Sequence, residues 1–180
     1  LFVSISLIGC AQNRVSLTEI TFDEEFVYYE GELFNGIYFD VFKNGQLKLE
    51  ITCKDGTLHG LFQKFYNNGQ LEEESTYKDG KRYGLVRYYF KNGTLRHEVN
   101  FKDGKMDGLS KAWYENGQLK FERNYKDETF HGLSKAWYEN GQLKQESTYK
   151  DGKLDGLTKF WDENGQLLVE KNFKDGKEVE

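Results

Sequence analysis

Few residues in this chain have the type and spacing to do chemistry: three histidines, two cysteines and a column of glutamates. His59 and His131 hold equivalent places in a repeating pattern, 72 residues apart. If each repeat supplies two strands, that is six strands, about 30 Å at roughly 4.8 Å per strand. Two ligands of one metal must each approach to about 2 Å. The pair therefore reads as surface histidines beside turns, and His97 falls on the other side of its strand. Glu50, Glu74, Glu98, Glu122, Glu146 and Glu170 recur every 24 residues. Paired catalytic carboxylates need about 5–10 Å between them and a cleft. The spacing is met, but each glutamate has a cationic or polar cross-strand neighbour and no cleft is implied. The Asp-Gly pairs lack the clustered ligands of a calcium loop. Cys53 has no histidine or basic partner near it in sequence and reads as a small buried filler rather than a nucleophile. No nucleophile elbow, phosphate loop or dinucleotide fingerprint is present. The expectation is a protein without catalytic residues, metal or cofactor. Twenty-five basic and 30 acidic residues, for a net charge of −5, argue against a nucleic-acid partner, which needs a basic stripe.

The elements that position these residues come from the repeat. Gly-Leu-Ser-Lys-Ala-Trp-Tyr-Glu-Asn-Gly-Gln-Leu-Lys occurs at 108–120 and again, unchanged, at 132–144. Looser copies at the same spacing give six units, 29–52, 53–76, 77–100, 101–124, 125–148 and 149–172, and a terminal half-repeat within the repeat region 29–180. Numbered within a unit, position 8 is always Gly, positions 16 and 17 Asn-Gly, position 19 Leu and position 22 Glu. Asp-Gly stands at positions 3 and 4 in most units. Asn-Gly and Asp-Gly are the favoured pairs of two-residue type I′ hairpins. The segments between them alternate with period two and are rich in Thr, Tyr, Trp and Leu, as strands require. Three glycines per unit and short gaps exclude helices. The fold expected is all-β: an elongated, single-layer antiparallel β-meander of tandem 24-residue hairpin repeats, with about 12 to 14 strands. Residues 16–28 alternate loosely and read as capping strands, which a stacked array needs at its ends.

Turn geometry sets the register. Around Asn140-Gly141, it pairs Tyr138 with Leu143, Trp137 with Lys144 and Lys135 with Glu146, and brings Gly132 opposite Tyr149. Around Asp151-Gly152, it pairs Tyr149 with Leu154. An aromatic ring thus covers the invariant glycine, a known stabilising device. One face then carries the aromatics of positions 1 and 14, the apolar position 6 and Leu at 19. The other carries Leu or Ile at 9, cations at 11 in the later units, Glu at 22, and a column of Val41, Phe65, Tyr89, Trp113, Trp137 and Trp161. Lys111–Glu122, Lys135–Glu146, Lys159–Glu170 and Arg87–Glu98 form direct cross-strand charge pairs. Phe65, Tyr89, Trp113, Trp137 and Trp161 are the candidate partner-binding residues, with the tryptophans about 10 Å apart and flanked by lysines. The alternative is that each indole packs on aliphatic stems of its neighbours. Local departures are Arg82-Tyr83, Tyr88-Tyr89, Glu128 in place of the turn glycine, and Asp162 in place of an aromatic.

The pattern Gly-Leu-x-x-x-Trp-Tyr-x-Asn-Gly-Gln-Leu-x-x-Glu-x-x-Tyr-x-Asp-Gly-Lys resembles the bacterial MORN-repeat variant over about 29–179. The resemblance implies a single-layer sheet of hairpins without enzymatic activity. Bacterial proteins with such repeats often carry an antitoxin or immunity label, and eukaryotic relatives are linked to membrane attachment and scaffolding. The chain opens on an apolar run ending Leu7-Ile8-Gly9-Cys10, which is too short to span a membrane and resembles the lipobox of bacterial lipoproteins. That resemblance implies a truncated signal peptide at 1–9, lipidation of Cys10, and a tether over 10–15. It also implies a chain held at the cell envelope, at the outer membrane if the cell is diderm, because Ala11-Gln12-Asn13 lack a retaining Asp. A buried amino-terminal strand is the alternative. Three roles follow as expectations: a scaffold presenting an elongated surface to another protein, an antitoxin or immunity protein neutralising a toxin, or a binder of carbohydrate or lipid headgroups through the aromatic face.

Overall fold

The computed structural model describes residues 13–180; the run before them, with Cys10, the expected signal and the first half of the expected tether, lies outside the described residues, and the tether reading of 14–15 is corrected, because Arg14 and Val15 belong to a strand paired with the long sheet. Two turns per 24 residues give two strands per unit, and successive strands pair with their chain neighbours. After a cap formed by β1 (Arg14–Ser16), a short 3-10 turn (Leu17–Glu19), β2 (Ile20–Phe22), β3 (Val27–Tyr29) and β4 (Glu32–Leu33), the meander begins at β5 (Gly36–Val41). It continues through β6 (Leu47–Lys54), β7 (Thr57–Phe65), β8 (Leu71–Lys78), β9 (Lys81–Arg82), β10 (Gly84–Tyr89), β11 (Leu95–Lys102) and β12 (Lys105–Trp113). It ends with β13 (Leu119–Lys126), β14 (Thr129–Trp137), β15 (Leu143–Lys150), β16 (Lys153–Trp161), β17 (Leu167–Lys174) and β18 (Lys177–Val179). The result is one long 15-stranded sheet, antiparallel except where β1 adds parallel to β5. The fold is all-β, as the alternation requires, with one sheet more than expected: β2, β3 and β4 form a separate three-stranded sheet.

That small sheet makes the amino-terminal end two-layered. Ile20, Val27 and Phe34 from the cap pack with Tyr38, Ile51 and Cys53 of the first strands to give a buried cluster. A lone sheet cannot bury both faces, so the cap supplies the apolar cover that later units obtain from their neighbours. Cys53 is 3% exposed, and burial pushes its thiol up to about 11, so it packs as a filler. Burial likewise raises Tyr38 to about 12. Arg14 fastens β1 by an ion pair to Glu50 at 2.7 Å and by stacking 4.3 Å above the Phe39 ring.

The two turn types differ, which corrects one expectation. Asp151 and Gly152 both have positive φ (50° and 79°), the I′ geometry. At Asn140-Gly141 only the glycine does (86°). Gly141 N–H donates to the Tyr138 carbonyl at 3.0 Å, and Tyr138 N–H to the Gln142 carbonyl at 2.8 Å. This is a type I turn followed by a left-handed glycine. Asn140 is used differently: its Oδ1 accepts from Gln142 N–H at 2.9 Å and its Nδ2 donates to the Glu163 carbonyl of the next unit at 2.7 Å. The longer loop brings a bulge, with Trp137 opposite Leu143, Ala136 opposite Gln145, and Lys144 extra. Leu at position 19 therefore faces the position-13 column, not Tyr138, and Trp137 does not face Lys144. Beyond the bulge the deduced register holds, including Lys135–Glu146, Gly132–Tyr149 and Tyr149–Leu154.

Candidate functional site

The strands sort side chains onto two faces because directly opposed residues share a face. The second face carries positions 9, 11, 13 and 22. Its charge pairs close as expected: Lys111–Glu122 at 3.0 Å, Lys135–Glu146 and Lys159–Glu170 at 2.9 Å each, and Arg87–Glu98 at 3.8 Å. Phe65, Tyr89, Trp113, Trp137 and Trp161 stand at the carboxyl ends of β7, β10, β12, β14 and β16, each opposite a leucine, from Leu71 to Leu167. All five are half-buried. The open apolar side chains of this face are Val41 and Leu167, 46% and 47% exposed, and the position-9 leucines Leu61, Leu133 and Leu157, at 43%, 42% and 41%. The column thus forms one flank of a leucine-bearing surface striped with ion pairs.

The first face carries positions 1, 6, 10, 12, 21 and 23. The cap covers its amino-terminal end. Further on, its floor is made of small or β-branched residues, with Ser75, Val86, Val99, Ser110, Ala112, Ser147 and Thr158 all buried. Above this floor runs a chain of arginine–aromatic contacts that sequence reasoning did not find. Arg82 takes the place of the usual apolar residue at position 6. It donates to Glu73, to Tyr77 Oη at 3.1 Å and to Tyr88 Oη at 2.8 Å. Burial raises the Tyr88 phenol. Tyr88 stacks on His97 at 5.9 Å, and His97 meets the Phe121 edge at 5.7 Å and Ser110 Oγ at 2.8 Å. Arg123 lies 4.2 Å over Phe121 and 5.5 Å over Phe130, which tilts against Tyr149 at 5.2 Å. Arg123, Phe130, Ser134, Ala136, Gln145 and Tyr149 line a cleft of about 110 Å³. The signal available in the sequence was the departure at Arg82 and Tyr88.

The structure does not bring His59 and His131 together; each lies by an aspartate of the next turn, Asp79 at 3.2 Å and Asp151 at 3.5 Å. Among the described residues no group of three or more His, Cys, Asp or Glu side chains is placed to hold a metal.

Where position 14 is tyrosine, that side chain serves the stacking of units, as the invariant asparagine does at Asn140. Tyr66, Tyr114 and Tyr138 each donate from Oη to the position-13 carbonyl of the next unit, at 2.8, 2.9 and 2.9 Å.

No curated protein matches the chain. Three solved structures are similar to it: a Staphylococcus aureus TarM G117R mutant in complex with fondaparinux, α-GlcNAc-glycerol and UDP; a second TarM structure; and an assembly of accessory secretory proteins 1, 2 and 3 of Streptococcus pneumoniae. Identities are 12%, 13% and 18%, and TM-scores 0.35, 0.33 and 0.22. The matches cover 53%, 52% and 80% of this chain but only 19%, 20% and 23% of those chains. The sequence model described as MORN repeat variant matches at 58–79, 82–103, 106–127, 130–151 and 154–175. With five matches in one 24-residue frame covering more than half of its length, the chain belongs to the MORN repeat variant family.

Proposed function

We propose that this protein is a non-catalytic, lipid-anchored scaffold of the cell envelope that presents its sheet to another protein. MORN repeats are in general protein- or membrane-binding modules, and the reading takes the first of these. The observation that supports it is the alignment of Phe65, Tyr89, Trp113, Trp137 and Trp161 at equivalent strand ends. Half-buried rings repeating about every 10 Å beside open leucines suit an extended partner better than a compact ligand, and tryptophan and tyrosine are the usual anchors of such contacts. The tetrapeptide ending at Cys10 supports a lipid anchor, with the tether placing the array close to the membrane.

The test is capture of the partner from membranes by wild-type chain and by the Trp113→Ala/Trp137→Ala/Trp161→Ala variant. The variant is expected to lose the partner at least about tenfold, as for loss of anchor residues, with the β-sheet circular dichroism unchanged. Equal capture would move the contact off this face.

A further inference from the structure

We infer that the first face, over β10 to β15, is a docking surface for an acidic, extended polypeptide segment that runs across the strands. This surface is distinct from the tryptophan column on the opposite face.

The inference starts from position 20, the bulged residue after each type I turn. In the first two units the charge there is neutralised across the hairpin by position 12: Lys48 pairs with Asp40 at 2.7 Å, and Glu72 with Lys64 at 2.9 Å. In the next three units position 12 is Tyr88, Ala112 and Ala136, whereas position 20 remains cationic as Arg96, Lys120 and Lys144. These cations lie over tyrosine rings instead: Arg96 5.8 Å from Tyr88, Lys120 5.3 Å from Tyr114, and Lys144 5.1 Å from Tyr138. Arg123 adds a fourth charge on Phe121 and Phe130. Among the described residues none of the four has a carboxylate within ion-pair distance, whereas the position-11 cations of the opposite face, Arg87, Lys111, Lys135 and Lys159, are each closed by one. In a chain of net charge −5, this is a local surplus of positive charge on an aromatic surface.

Spacing and precedent indicate the occupant. Arg96, Lys120 and Lys144 recur every second strand, about 10 Å apart, and three residues of extended chain also span about 10 Å. A segment in the polyproline II form, with three residues per turn and about 3.1 Å rise per residue, presents a carboxylate at every third residue along one side and so meets all three in register. The same face already holds one acidic segment of the chain, seated through its apolar side chains. The cap carries Glu19, Asp23, Glu24, Glu25, Glu30 and Glu32 with no Lys or Arg between Ser16 and Asn35, and it seats Ile20, Val27 and Phe34 on this face at its amino-terminal end. The surface from β10 onward continues the same face without that cover.

The test uses the full chain and a fluorescent dodecapeptide with Glu at every third position, read by anisotropy. Wild type is expected to bind, more weakly as salt rises because the pairs are exposed. The Arg96→Ala/Lys120→Ala/Arg123→Ala/Lys144→Ala variant is expected to bind at least about tenfold less tightly. Ala136→Asp, which rebuilds at Lys144 the pairing seen between Asp40 and Lys48, is expected to weaken binding while circular dichroism stays that of wild type. The tryptophan triple variant is expected to bind the peptide as wild type does, which separates this surface from the other face. No binding by wild type, or equal binding by the quadruple variant, overturns the inference. Binding to vesicles of anionic lipid but not to the peptide also overturns it, in favour of a membrane surface.

Discussion

Single residues in this chain are constrained chiefly by backbone sign and by burial. Gly132 has φ of 84° with nothing within 4 Å of where a Cβ would stand, so the Tyr149 ring expected to cover it does not, although the two residues pair in register. Its constraint is therefore conformational rather than steric. Gly132→Ala is expected to cost about 1–2 kcal/mol, the usual penalty for a left-handed residue with a Cβ. Glu128 shows the reverse: it stands at φ 69° where other units have glycine, yet its N–H still donates to the Met106 carbonyl at 2.9 Å. Glu128→Gly is expected to raise stability by roughly 1 kcal/mol. Chemical denaturation of both variants checks the pair, and a destabilised Glu128→Gly would refute the strain. His97 is the residue that ties stability to pH. Burial, with Arg96 and Arg123 nearby, lowers its pKa below 6.5. The unfolded chain then takes up the proton first. The contribution is complete above about pH 6.5 and is lost as pH falls through the lower folded value. His97→Gln should flatten the stability curve between about pH 7 and pH 5; an unchanged slope would assign it to another group.

At the scale of elements, hairpins are joined by two kinds of link whose strengths differ. The cross-strand pairs of the second face are solvent-exposed, with Lys135 and Glu146 each 33% exposed. A double-mutant cycle on them is expected to give only about 0.2–1 kcal/mol of coupling, falling with salt. The tyrosine hydrogen bonds reach a main-chain carbonyl in the next unit, part-buried, and each is expected to be worth about 1 kcal/mol. Tyr138→Phe should therefore destabilise the chain as much as Glu146→Gln or more, and should be insensitive to salt. Equal salt dependence of the two would show that the tyrosine acts through the neighbouring Lys144 rather than through the hydrogen bond. The Asp-Gly edge is linked as well, since Gly152 N–H donates to the Phe130 carbonyl and Gly176 N–H to that of Leu154. Both edges of the sheet are thus sewn unit to unit.

For the whole molecule, the long sheet has no single core. Strands touch their chain neighbours, and the buried cluster sits at the cap. Stability should then behave as a sum of unit and neighbour contributions. Deleting 125–148, one unit in frame, is expected to leave a folded sheet with an unchanged type of circular dichroism spectrum and a lower denaturation midpoint. Loss of structure on that deletion would show long-range cooperation that nearest-neighbour contacts do not supply.

Much of the fold was legible because a 24-residue period with fixed turn residues leaves little choice. Asp-Gly demands a two-residue turn, alternation demands strands, and together they set the register that joins Lys135 to Glu146 and Gly132 to Tyr149. Local chemistry sufficed there because paired strands are neighbours in sequence. Three features needed the tertiary structure. The Asn-Gly turn took another form, and Asn140 within it donates to a carbonyl 23 residues away, a partner that exists only once units stack. The cap crossed onto the first face because it had to cover apolar side chains of strands it does not pair with. Arg82, Tyr88, His97, Phe121 and Arg123 became one surface only through side chains meeting across five strands, a conjunction no period in the sequence announces. The repeat fixed where each residue stands along its strand; burial and cross-strand contact decided which side chains of each face stay open to solvent.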